Sequence, residues 1–174
     1  PWPDYTPGFK LSFLPHGEEG SSVSVGLFKA DATWEDIAEG IFAVGEVDLK
    51  LLGGNYRGYI WREPGNWGAG VSLDQLLSSE LGLFARLGLP KDPVDGVKAA
   101  WSAGAQVTLG EENAIGLAAG QNIREDQNET RVEVYLRWTL GQVALSPDFQ
   151  LVLNPEGQDR KITVFGLRVQ TAYP

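Results

Sequence analysis

Taken at every second residue, the stretch TRVEVYLRWTLG, from Thr130 to Gly141, separates into two chemically opposite sets. Val132, Val134, Leu136, Trp138 and Leu140 form one, and Arg131, Glu133, Tyr135, Arg137 and Thr139 form the other. A period of two belongs to a β-strand, whose side chains point alternately to its two faces. Two environments ask for one apolar and one charged face. A strand over a soluble core turns its apolar face inward and its polar face to water. A strand in a membrane β-barrel turns its apolar face to lipid and its polar face to a wet lumen.

The same alternation recurs along the chain. VKAAWSAGAQVTL sets Val97, Ala99, Trp101, Ala103, Ala105, Val107 and Leu109 against Lys98, Ala100, Ser102, Gly104, Gln106 and Thr108. IFAVGEVDLKLL carries Glu46, Asp48 and Lys50 on its second face, LGLFARLGL carries Gly82, Phe84, Arg86 and Gly88, and DFQLVLN carries Asp148, Gln150 and Asn154. Small residues on a polar face leave room beside it. The pattern predicts eleven strands, at about 9–14, 23–30, 41–52, 54–63, 68–76, 80–89, 97–109, 113–122, 130–140, 142–153 and 160–173.

Turn chemistry adds a second regularity. Tight turns at Gly53-Gly54, Leu77-Ser79, Gly110-Glu112 and Gly141-Gln142 alternate with longer links at Asp31-Gly40, Pro64-Trp67, Pro90-Gly96, Ile123-Glu129 and Asn154-Asp159. Short on one edge and long on the other is the signature of an up-and-down outer-membrane barrel. Pro15-Ser22 breaks that rule. An even strand number closes such a barrel with both termini on one side, so an odd count means either a miscounted strand or part of a larger barrel. Nothing divides the 174 residues into two domains.

Composition narrows the chemistry. With 22 Gly, 6 Trp and 5 Tyr, and neither Cys nor Met, the chain reads as β-rich with many turns. A net charge of −9 argues against a nucleic-acid partner, which needs clustered Lys and Arg. The lack of cysteine removes disulfides and thiolate chemistry. No apolar run approaches the roughly 18 to 20 residues of a membrane helix. The opening PWPDYTPGF lacks the regions of a secretion signal, so a membrane reading implies a barrel on a mature or partial chain.

Catalytic and metal motifs are sparse. His16, the single histidine, sits in PHGEEG and reads as a solvated loop residue, with Thr33 and Asp36 beyond it at capping-box spacing. GEEG and REDQNE lack the ligand ladder of a calcium loop and read as solvated turns, as does NPEGQD. No phosphate loop is present. Glu46 and Asp48 are a glycosidase pair only in the sense that any acidic pair is. No cofactor or metal is expected.

The face that a barrel would turn inward is richer. It carries Arg57, Tyr59, Trp61, Arg86, Lys98, Arg131, Glu133, Arg137, Asp148 and Arg168. Guanidinium and carboxylate groups exchange hydrogen bonds across a narrow lumen, and flat aromatic rings stack on sugar rings. On a soluble sheet the same set is the wet face, its ion pairs worth little each. A soluble sandwich or lipocalin-like module with an aromatic ligand pocket is the alternative reading.

Seven collinear segments, GNYRGYIWRE, GAGVSLDQLLSSELGLFARLG, AAWSAGAQVTLG, NAIGLAAGQN, ETRVEVYLRWTL, LSPDFQLVLNPEG and VFGLRVQ, resemble the carbohydrate-selective outer-membrane porins of the OprB type. The resemblance implies a transmembrane antiparallel barrel of about sixteen strands, of which this chain looks like the carboxyl-terminal ten or eleven. It implies facilitated diffusion of sugars and similar small polar solutes across a bacterial outer membrane, without enzyme activity, by a single barrel or a homotrimer. Arg57, Trp61, Arg86 and Arg168 match the family's patterned positions and are expected to line the lumen, and Glu133 to brace Arg131. Trp101, Trp138 and Tyr173 are expected in the lipid-facing aromatic belt. The family usually ends on an aromatic residue, whereas here Tyr173 is followed by Pro174.

Overall fold

The computed structural model describes residues 7–15, 20–29, 40–110 and 112–171. Eleven strands follow one another: β1 (Gly8–Phe13), β2 (Ser22–Lys29), β3 (Ile41–Leu51), β4 (Gly54–Glu63), β5 (Asn66–Leu76), β6 (Leu81–Pro90), β7 (Val97–Leu109), β8 (Asn113–Arg124), β9 (Glu129–Leu140), β10 (Val143–Leu153) and β11 (Lys161–Thr171). Each strand pairs antiparallel with the next, forming one up-and-down sheet in sequence order. β1 and β11 are its two edges. The expectations for His16, the Thr33–Asp36 spacing and Tyr173 lie outside the described residues.

Several turns follow directly from residue type. Leu52 and Gly53, both at positive φ (52° and 76°), form the two-residue connection of β3 to β4, the type I′ geometry that matches strand twist. At Gly141-Gln142 the positive φ of 63° falls on the first residue, the place a type II′ turn reserves for glycine. One expectation needs correction. Pro64-Trp67 is not a longer link, because only Pro64 and Gly65 separate β4 from β5. Proline fixes the first turn position and Gly65, at φ 84°, supplies the second, as in a type II turn.

The register sorts the side chains as the alternation requires. Across β8, β9 and β10, Ala118, Glu133 and Gln150 lie in one row, and Ala119, Val132 and Leu151 in the neighbouring row on the opposite face. The apolar face is open. Trp138 is 54% exposed and Leu167 67%, while Phe42, Ala114, Ala144 and Val152 are the only buried hydrophobics among the described residues. No described side chain is less than 2% exposed. A soluble sandwich needs a second layer to cover this face, and an uncovered apolar surface of such extent marks contact with lipid or protein.

The polar face is the concave one. Tyr59 on β4 reaches across β5 until its hydroxyl is 3.7 Å from where a Cβ on Gly88 of β6 would stand. Glycine opposite a large side chain recurs on this face. Tyr59 lies over Gly70, Tyr135 over Gly116, and the Phe84 ring within 2.5 Å of a Cβ position on Gly104, each across its own register pair. The ring thus covers a backbone that carries no side chain, a cross-strand pairing that pins register.

Two substitutions test this layout. Val134→Arg, at the middle of β9 on the apolar face, is expected to cost about 2–4 kcal/mol of folding free energy in lipid, whereas Arg137→Ala leaves insertion intact. Equilibrium unfolding from vesicles reads both. Gly116→Val forces a branched side chain into the space of the Tyr135 ring and is expected to cost about 1–3 kcal/mol in the same assay.

Candidate functional site

Hydrogen-bond register carries the polar-face residues into cross-strand rows. One row runs Asp48, Arg57, Ser72, Arg86, Ser102, Gly120, Arg131 from β3 to β9. The next row toward the tight turns holds Asp74, Phe84, Gly104, Ala118 and Glu133. On the other side lie Gly88, Ala100, Asn122 and Glu129. Bulky and charged residues stand on β4, β6 and β9, while β7 and β8 between them present mostly small ones. The result is a recess of about 490 Å³, with one wall of Tyr59, Phe84 and Arg86, a floor containing Ser102, Ala118 and Gly120, and a facing wall of Glu129, Arg131 and Glu133. Its size falls in the roughly 300–1,000 Å³ range of small-molecule sites.

Charges along the wall are laddered. Arg57 stands 3.8 Å from Asp48 and 3.6 Å from Asp74, and Arg86 reaches the same Asp74 at 4.0 Å with its guanidinium 5.3 Å from the Phe84 ring centre. Asp48 Oδ1 and Arg57 Nε are buried without hydrogen-bond partners, and Arg57 Nε meets Asp48 Oδ2 beyond hydrogen-bond distance, by charge alone. Lys10 on β1 reaches Glu46 on β3 at 3.8 Å.

The strongest polar node lies at the rim that carries the longer links. Glu129 is 4% exposed. It accepts hydrogen bonds from Arg131 Nε at 3.1 Å, Asn122 Nδ2 at 3.2 Å and the Glu156 backbone N–H at 2.8 Å, with Arg131 Nη2 at 3.0 Å. The last bond ties the β10–β11 link to β9, and Asn154 Nδ2 donates to the Asn128 carbonyl beside it. This residue was missed within REDQNE, because one acid in a polar cluster looks like the next; only the fold shows it covered by the 154–160 link. Expected to brace Arg131, Glu133 instead makes no ion pair, and Glu129 takes that role.

Most expected inward residues stand on the concave polar face. Arg57, Tyr59, Trp61, Arg86, Arg131, Glu133, Arg137, Asp148 and Arg168 share it by register. Lys98 differs. The register shifts between Val97 and Ala99, and Lys98 pairs at 2.9 Å with Glu125 in the β8–β9 link. It is a rim brace. Hydrogen bonding and charge from Lys98 hold the Glu125 carboxyl below its usual range, so this pair persists to lower pH than an isolated glutamate allows. Trp101 and Trp138 stand on the apolar face, with Trp67 and Tyr56 as further aromatics there; the Tyr56 hydroxyl donates to Gln75. Tyr56 is visible in the alternation, two places from Gly58 and opposite in parity to Arg57, yet its polar hydroxyl masks it. No group of three or more metal-ligating side chains forms among the described residues.

A family model for the carbohydrate-selective porin, OprB family, matches residues 53–173. The chain belongs to this family. No curated protein matches it. Among solved structures, the high-pH structure of Pseudomonas putida OprB is similar, with a TM-score of 0.74 at 14% identity over 94% of this chain. The likeness shows the fold, and the chain spans 58% of the length of that OprB chain.

Glu129→Ala tests the rim node. Removing the carboxylate leaves Asn122, Arg131 and the Glu156 N–H without their shared acceptor, an expected loss of about 1–3 kcal/mol. Faster proteolysis within 154–160 than in the parent protein is the expected readout.

Proposed function

We propose that the concave polar face lines a water-filled lumen through which sugars and similar small polar solutes diffuse across a bacterial outer membrane. One observation carries this reading: a family-typical sheet has a largely apolar face on one side and, on the other, rows of arginine and carboxylate over a floor of small residues. Hydroxyl-rich solutes exchange their water shell for such donors and acceptors, and the weak, repeated contacts that result permit conduction. Solutes leave chemically unchanged. Arg57, Tyr59, Trp61, Arg86, Arg131, Glu133, Arg137, Asp148 and Arg168 are the proposed lining; Trp101, Trp138, Trp67 and Tyr56 face lipid as its aromatic belt.

Closing the lumen follows a parity rule. Ten successive antiparallel pairings leave β1 and β11 running in the same direction. An antiparallel seal between these edges therefore needs an odd number of additional strands. Two copies related by an axis along the pore would again bring β11 against a parallel β1, so a second copy does not satisfy the rule. The proposed whole is a larger single barrel of which this chain forms one contiguous wall.

The test is flux. The protein, purified in its native assembly from the outer membrane and reconstituted in liposomes, is expected to pass neutral monosaccharides far faster than protein-free vesicles do. Sugar entry no faster than in empty vesicles contradicts the porin reading.

A further inference from the structure

The link between β10 and β11 holds a backbone shape that its own residues do not all favour. Asn154, Glu156 and Gly157 stand at positive φ, 51°, 56° and 77°. Asparagine and glycine enter this left-handed region readily and glutamate rarely does, so Glu156 is the strained position. Something outside the link has to keep it there. The base of the link is closed by Asn154 N, which donates to the Arg160 carbonyl at 2.8 Å. Its tip is held by Glu129, which accepts the Glu156 N–H at 2.8 Å, and Pro155 beside it is buried.

The tip is held inward. Glu129 shares a polar-face row with Asn122 and Ala100 and lines the recess, so its carboxylate draws the Glu156 amide over the concave side at the mouth. Neighbouring links join in: a Cβ on Gly157 would lie 3.4 Å from the Gln127 carbonyl, and Arg124 donates to the Asp95 carbonyl of the β6–β7 link. The node has one chemical weakness. Arg131 Nε and Nη2, Asn122 Nδ2 and the Glu156 N–H all donate to Glu129. A carboxylate accepts from all four, whereas a protonated carboxyl adds an O–H to a set of partners that are themselves donors.

The charges that face Glu129 are Arg131 on β9 and Arg124 on β8, and both stay protonated throughout the acid range. Glu156, Asp159 and Arg160 on the link are exposed, and Glu125 in the β8–β9 link is exposed and pairs with Lys98. Glu129 is the only buried acidic residue among the described ones. A proton taken up at this node therefore goes to Glu129.

We infer that the β10–β11 link is an acid-released latch at the mouth of the lumen, held inward against the strain at Glu156 by the Glu129 carboxylate and let go when that carboxylate is protonated. The longer links of an outer-membrane barrel face the external medium, so the latch responds to the pH outside the cell. The inference goes beyond the porin reading, on which only its effect on conduction rests. The link is held while Glu129 is ionised and is lost as the pH falls. Once free, the side chain takes a proton below about pH 4.3, the ordinary glutamate value, so the ratio of released to held link grows about tenfold per pH unit below it.

A nitroxide on Gln158→Cys, in the native assembly reconstituted in bilayers, reads the link, and single-channel current reads the pore. Label mobility is expected to rise between roughly pH 4.5 and pH 3, with a change of conductance over the same interval. Glu129→Gln, which puts an amide donor where an acceptor oxygen stands, is expected to give a mobile label at neutral pH and no acid step. Glu156→Gly keeps the backbone N–H, relieves the strain and leaves Glu129 in place, and is expected to move release up to about one pH unit further into acid. Mobility that stays constant down to about pH 3 in the parent overturns the latch. So does an acid step that persists in Glu129→Gln, or release of Glu156→Gly at a higher pH than the parent. An acid step of the label in a protein that conducts no current leaves the latch standing and overturns the porin reading.

Discussion

Hydrocarbon offers no partner to a peptide N–H or C=O, so a chain that crosses it in extended form has to satisfy its backbone through neighbouring strands. In the proposed membrane wall, everything else depends on that constraint. Ten consecutive antiparallel ladders meet it for β2 through β10, and the remaining demand falls on the outward edges of β1 and β11. Pro147 interrupts interior strand β10, as Pro90 ends β6, and the β9–β10 register skips Ser146 and Pro147 there, while β11 pairs across from both. Once the ladders are continuous, side chains are free to serve two solvents at once.

Division of labour on the polar face follows from the geometry of pairing. An aromatic side chain opposite a glycine lies down on the sheet and fixes register, as Tyr59, Phe84 and Tyr135 do. Charged residues stand up and reach sideways. Those with close counter-ions, such as Arg57 and Arg131, stiffen the wall; those without keep hydrogen-bonding capacity for something that arrives from solution. At the rim, Glu129 gathers donors from two side chains and a backbone amide and so clamps the β10–β11 link against β9. Rigid rims and an open recess are compatible because they draw on different carboxylates.

Most of the architecture is legible in the sequence, because its period-two alternation is a direct imprint of a sheet with one apolar and one polar face. All eleven strands emerge within a few residues of their observed limits, and parity places the residues from Arg57 to Arg168, Lys98 apart, on one face of the sheet. What escaped parity was anything decided between strands. The sequence reads Pro64-Gly65 as part of a longer link because it does not say how far β4 and β5 remain paired, yet Glu63 meets Asn66. A register shift sends Lys98 to the rim. The choice of Glu129 rather than Glu133 as partner for Arg131 depends on the fold of a link more than twenty residues away, which no local pattern encodes.

The most direct measurement exploits the absence of native cysteine. Single cysteines placed in turn at 131 through 138 carry a nitroxide label in the lipid-reconstituted protein, and collisional relaxation by oxygen and by a water-soluble nickel complex is compared at each site. The two-solvent account predicts strict alternation, with nickel dominant at 131, 133, 135 and 137 and oxygen dominant at 132, 134, 136 and 138. Uniform access to nickel along β9, or alternation with the opposite phase, contradicts it.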